Sequence, residues 1–159
     1  MITYLPEVMI ITEDRLAEEL KLLNDKIIVF ASGVFDIFHT GHLFYLEQAK
    51  NQGNVLVVWV NSDRAVARLK KFHPLFFSFK DRAKLVAALK AVDYVIEFDE
   101  DSPARILKKL KPQVVARSGQ PQKDNPMHKL SESLGIRMFY CPEVNGLSST
   151  KIIKHIKFN

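Results

Sequence analysis

The feature that most constrains this chain is a regular alternation of two kinds of segment. KIIVFAS (26–32), NVLVVWV (54–60), DYVIEF (93–98), PQVVARS (112–118) and IRMFYC (136–141) are short β-branched and aromatic runs, and several stretches between them carry apolar residues at helical spacing. Runs so continuously apolar belong to strands covered on both faces, and a parallel sheet with crossover helices on each side provides that cover. The expected fold is α/β, a Rossmann-like doubly wound parallel sheet of about five strands. It is expected to form a single domain over 1–159, with 1–25 as an N-terminal extension and a helix packed on it.

The helix signals sharpen this expectation. Leu16, Leu20 and Leu23 share one face of a helix over about 13–24. Thr40 is the expected N-cap of the helix after the first strand, with Leu43, Leu46 and Ala49 inward and Gly53 near its end. Ser78 and Asp81 form a capping box, followed by a stripe of Leu85, Val86 and Leu89. KKFHPLFFS (70–78) and SGQPQKDNP (118–126) read as loops.

Composition narrows the classes. With 47% apolar and 26% charged residues and no low-complexity tract, the composition is that of a soluble globular protein rather than a disordered one. Its longest apolar runs fall far short of the roughly 20 residues that span a bilayer, and MITYLPEVMI lacks the basic start and cleavage site of a signal peptide, so a cytoplasmic protein is expected. The lone Cys141 can form no internal disulfide and is expected to be a packed thiol. A formal charge of +5 suits a phosphorylated small molecule, whereas the lysines are too dispersed for a nucleic-acid patch.

GVFDIFHTGH (33–42) lies where the first strand hands over to its helix, at the carboxyl end of the sheet, where open α/β folds bind ligands. A helix capped by Thr40 would offer the backbone N–H groups of Gly41 and His42, and the positive end of its dipole, to an anion. Gly41 would admit a phosphate close to the backbone. His39 and His42, three residues apart, would add imidazole donors. The turn therefore reads as a polyphosphate cradle.

These residues resemble the HxGH signature of the nucleotidylyltransferase superfamily, whose members join a phosphorylated small molecule to a nucleoside monophosphate taken from CTP or ATP. The resemblance continues through NSD (61–63), Lys70 and Lys71, KDR (80–82), KAVDYVIEF (90–98) and GLSSTKII (146–153). ASGVFDIFHTGHLFYLEQAK and KAVDYVIEFDEDSP look most like the adenylyltransferase domain of ADP-heptose synthase, with glycerol-3-phosphate cytidylyltransferase next.

The resemblance implies transfer of AMP, or CMP, to a phosphorylated sugar or polyol with release of pyrophosphate, using Mg²⁺ and ATP or CTP. It implies that His39 and His42 stabilise the triphosphate, that Lys70 or Lys71 covers phosphates, and that Gly33, Val34, Phe35, Asp36 and Gly41 form the nucleotide turn. Ser148, Ser149 and Thr150 alone read as a helix N-cap; the resemblance gives them the β and γ phosphates. Arg82 is expected either at a phosphate or in an ion pair with Asp81 or another carboxylate. Asp36 either places Mg²⁺ through water or locks the turn by accepting N–H bonds. Asp63 is expected at the substrate or a ribose.

Two stretches depart from the family pattern. Relatives carry a glycine and acidic loop after the fourth strand, where this chain reads ARSGQPQ and places Arg117; an influence of Arg117 on nucleotide preference is expected. PEVNGLSST lacks the arginine and glutamate of RTEGIST. A glycerol-3-phosphate-type cytidylyltransferase and a non-catalytic nucleotide-binding module remain as alternatives. The expected partners are the two substrates, with a homodimer left open, and neither nucleic acid nor membrane.

Overall fold

The structure is a computed structural model and describes residues 9–69, 74–144 and 149–157. The elements run β1 (Met9–Ile10), α1 (Glu13–Lys21), β2 (Ile28–Gly33), α2 (Thr40–Lys50), β3 (Val55–Asn61), α3 (Asp63–Arg68), α4 (Phe79–Ala87), β4 (Tyr94–Phe98), α5 (Ala104–Leu110), β5 (Val114–Ser118), α6 (Pro126–Ser133), β6 (Arg137–Cys141) and α7 (Ser149–Lys157). The five apolar runs are β2 to β6, as expected. β1 adds a two-residue edge strand.

The strands pair in the order β1-β4-β3-β2-β5-β6, and every pairing is parallel. Side chains alternate across each strand, so the sheet has two apolar faces. Val29, Ala31 and Val58 meet Tyr45, Leu46 and Ala49 of α2 and Ala83 and Val86 of α4. Ile28, Phe30, Val57 and Trp59 meet Leu16 of α1 and Ile106, Leu107 and Leu110 of α5. Full burial of Leu16 contributes about 2 kcal/mol toward holding α1 on the sheet. The exposed Arg105–Glu13 and Lys109–Asp14 pairs add little to that.

Three local expectations are corrected. α1 stops at Lys21, although Leu23 still packs beside it. Leu85 is 46% exposed, and Arg82, Ala83 and Val86 form the buried face of α4. The N-cap of α2 is His39, not Thr40: its backbone is extended, and its Nδ1 accepts from the Gly41 N–H at 3.1 Å. Cys141 is a packed thiol as expected, fully buried, and burial raises its pKa. No described helix is long and apolar enough to cross a membrane.

β3, β4 and β1 lie to one side of β2, while β5 and β6 lie to the other. The crossovers therefore diverge between β2 and β5, and a crevice opens beyond their carboxyl ends. The buried Tyr45 spans this fork. Its hydroxyl donates to Ala116 O at 2.9 Å and accepts from the Ser32 N–H at 3.3 Å, tying β5 to β2 at the end of their pairing.

Candidate active site

A cleft of about 260 Å³ occupies the fork, lined by Ser32, Gly33, Phe35, His39, Gly41, His42, Tyr45, Ser118, Glu143, Val144 and Ser149. β2 supplies its floor, α2 one wall, and the end of β5 with the start of α7 the other. Ser149 is held there by donating to Ile37 O at 3.3 Å.

The turn into α2 is built around Phe35. Its φ of 53° lies in the left-handed region that non-glycine residues avoid, which costs about 1–3 kcal/mol. Burial of its ring in the core beneath the turn offsets that cost. The same ring explains Gly33, because a Cβ there would lie 2.9 Å from the Phe35 ring carbons.

The rings of His39 and His42 stack with centroids 3.9 Å apart. Phe35 and Phe38 flank His42 at 5.4 and 5.3 Å. Because His39 Nδ1 accepts from Gly41, the neutral ring carries its proton on Nε2. Burial lowers the His39 pKa; burial and then the neighbouring His39 push His42 down to about 4. Both rings are therefore neutral at pH 7. His42 Nδ1 is buried without a partner.

The capping arrangement changes the expected cradle. Gly41 N–H is spent on His39 Nδ1 and His42 N–H on His39 O, at 2.9 Å, so these two backbone donors are not free for an anion. The imidazoles and the dipole of α2 remain.

The fold brings Gly33, Phe35, His39, Gly41, His42 and Ser149 together and places other expected residues elsewhere. The phosphate role expected of Arg82 is corrected: its side chain has no exposure, and its guanidinium donates to Phe77 O, Val34 O, Asn61 O and Asp63 Oδ1. The ion pair it forms is with Asp63, at 2.7 Å, rather than with Asp81. That pairing occupies one Asp63 oxygen. Val34 offers its carbonyl to Arg82 instead of lining the cleft.

Asp36 is buried and accepts from the N–H groups of Phe76 and Phe77, so it ties a neighbouring loop to the turn after β2. Arg117 lines a smaller adjoining pocket with Ser118, Asn125 and Tyr140 and donates to Asn125 Oδ1 at 3.0 Å. Lys70, Lys71 and Ser148 lie outside the described residues, as does the side chain of Thr150.

Ser32, Tyr45, Ser118, Glu143 and Val144 were not anticipated. Tyr45 falls on the inward face of α2, one turn after His42, and Ser118 ends its strand on the side where ligands bind, so both carried a readable signal. Glu143 and Val144 carried none.

A model of the family described as cytidylyltransferase-like matches residues 30–155. The chain is 41% identical over 139 residues to the bifunctional protein HldE of Geobacter metallireducens and 43% identical over 135 residues to that of Campylobacter jejuni, alignments covering 87% and 84% of this chain. It spans 28% of the length of each of these two relatives. A crystal structure of a lipopolysaccharide core biosynthesis protein from Thermoplasma volcanium superposes with a TM-score of 0.62 at 32% identity, covering 75% of this chain and 97% of that one. Pantoate-beta-alanine ligase from Francisella tularensis shares the fold, with a TM-score of 0.59 at 12% identity over 94% of this chain and 77% of that one.

Proposed function

The chain belongs to the cytidylyltransferase-like family, and on that premise we propose that it transfers AMP from ATP to a heptose 1-phosphate, releasing pyrophosphate. Similarity to the adenylyltransferase domain of ADP-heptose synthase, the bifunctional HldE protein, supports this substrate pair. The observation that carries the reading is the stacked His39–His42 pair lining a cleft at the fork of the sheet.

In the reaction an oxygen of the acceptor phosphate attacks the α-phosphorus. The new P–O bond forms as the bond to the β-phosphate bridge breaks and pyrophosphate leaves. A phosphate monoester has a second pKa near 6, so it is mostly dianionic at pH 7 and needs no general base. What the protein supplies is alignment and stabilisation of growing charge. His39 Nε2–H donates to phosphate oxygens, and His42, stacked beside it, supplies a second imidazole contact. Both contacts strengthen as negative charge gathers on the leaving group.

Lys70 or Lys71 covers the phosphates, and Ser148, Ser149 and Thr150 hold the distal ones. Mg²⁺ supplies further charge neutralisation when bound. The described residues contain no cluster of three His, Cys, Asp or Glu to hold it, and Asp36 has committed its carboxylate to Phe76 and Phe77. The ion would enter as a counter-ion of the triphosphate. The reaction belongs in the cytoplasm.

The test is pyrophosphate release with Mg²⁺, ATP or CTP, and a panel of sugar and polyol phosphates. Product from ATP with heptose 1-phosphate is expected. Tight nucleotide binding with no pyrophosphate across the panel would replace the enzyme with a binding module.

A further inference from the structure

Among the described residues lining the cleft, Glu143 is the only aspartate or glutamate. It is a carboxylate in a cleft read as the seat of a polyanion. No described residue donates a hydrogen bond to it or pairs with it, and it is exposed to solvent. It stands at the wall opposite α2: its Oε1 lies 3.5 Å from where a Cβ on Gly119 would be, beside the end of β5. Gly119, with φ of 100°, leaves that space open.

An ionised carboxylate only accepts hydrogen bonds and repels phosphate. Its presence therefore polarises the cleft. The phosphates belong at the His39–His42 wall, and a neutral, donor-bearing part of the ligand belongs at the Glu143 wall. A nucleoside triphosphate has such a part in its ribose hydroxyls and in any exocyclic amine of its base. The loop that follows β5, residues 119–122, contributes no carboxylate of its own to this wall.

We propose that Glu143 is a specificity-determining residue that accepts hydrogen bonds from the nucleoside's ribose hydroxyls or base amine. The proposal rests on the nucleotide reading of the cleft. It extends that reading by orienting the nucleotide and naming a residue that reads it.

The experiment is calorimetric titration, with Mg²⁺ and without acceptor, of wild-type protein, Glu143→Ala and Glu143→Gln. The ligands are ATP, 2′-deoxy-ATP, 3′-deoxy-ATP and purine riboside triphosphate, which lacks the amine. Glu143→Ala is expected to weaken ATP binding roughly ten- to hundredfold, the range for a hydrogen bond to a charged group. That loss should vanish with whichever analogue lacks the bonded donor, as non-additivity between interacting groups requires. The analogue that abolishes it tells hydroxyl from amine. Glu143→Gln, which keeps one acceptor oxygen, should fall between.

Equal affinities in wild type and Glu143→Ala would overturn the proposal. A uniform loss across all four nucleotides would also overturn it, because Glu143 would then act on phosphate or its counter-ion. Failure of wild type to bind any of the four would overturn the nucleotide reading itself, and with it this inference.

Discussion

Two sets of polar side chains flank the turn from β2 to α2, and they differ in how fully they are partnered. Beneath it, Arg82 donates to three backbone carbonyls and to Asp63, while Asp36 accepts from two backbone N–H groups. Above it, His39 and His42 stack with depressed pKa values, and His42 Nδ1 has no partner. Buried polar groups without partners are expensive. Two others occur among the described residues, Trp59 Nε1 and Ser131 Oγ, but neither lines the cleft. A satisfied network holds a shape, whereas the two imidazoles line the cavity where a ligand would sit.

That contrast can be broken in four ways, from the largest effect downward. Arg82→Ala removes one partner of a fully buried guanidinium network and should cost about 3–5 kcal/mol of stability, read by urea unfolding. A loss of activity with unchanged unfolding would instead return Arg82 to the chemistry. His42→Ala should lower turnover about 100- to 1,000-fold while leaving the unfolding midpoint nearly unmoved; a near-normal rate would remove it from the mechanism.

The third prediction concerns pH. His42 has a folded pKa of about 4 against an ordinary value of 6.5, so between these limits the unfolded chain binds more protons. Stability contributed by its neutral form is complete above pH 6.5 and is lost as pH falls toward 4. Nucleotide should reverse this by favouring the imidazolium, so binding at pH 5 should take up protons, measurable by calorimetry in buffers of different ionisation enthalpy. Proton release would contradict the account. The smallest effect is expected for Asp36→Asn, about 1–2 kcal/mol of stability from weaker acceptance of the Phe76 and Phe77 N–H groups. A much larger loss of activity than of stability would show Asp36 acting on the ligand.

The same contrast explains what the sequence disclosed. β2 to β6 were legible because a strand covered on both faces leaves an unbroken local run, and the cleft's position followed because ligands meet such sheets at the carboxyl ends. His39 and His42 were legible from their spacing. The role of Arg82 was not, since a charge in the first turn of a helix reads alike whether it faces solvent or threads back to Val34 O and Asn61 O. Thr40 was favoured as the cap by ordinary preferences, and His39 took that place because its ring reaches the Gly41 N–H. Glu143 was not legible because its place beside Gly119 depends on how the chain leaving β6 lies against the end of β5.

The most direct test is a crystal structure with Mg²⁺ and a non-hydrolysable ATP analogue. Phosphate oxygens within hydrogen-bond distance of His39 Nε2 and of a ring nitrogen of His42, with Arg82 still bound to Val34 and Asp63, are the predicted result. A nucleotide seated away from the β2–β5 fork, or phosphates held by Arg82 with both imidazoles uninvolved, would contradict it.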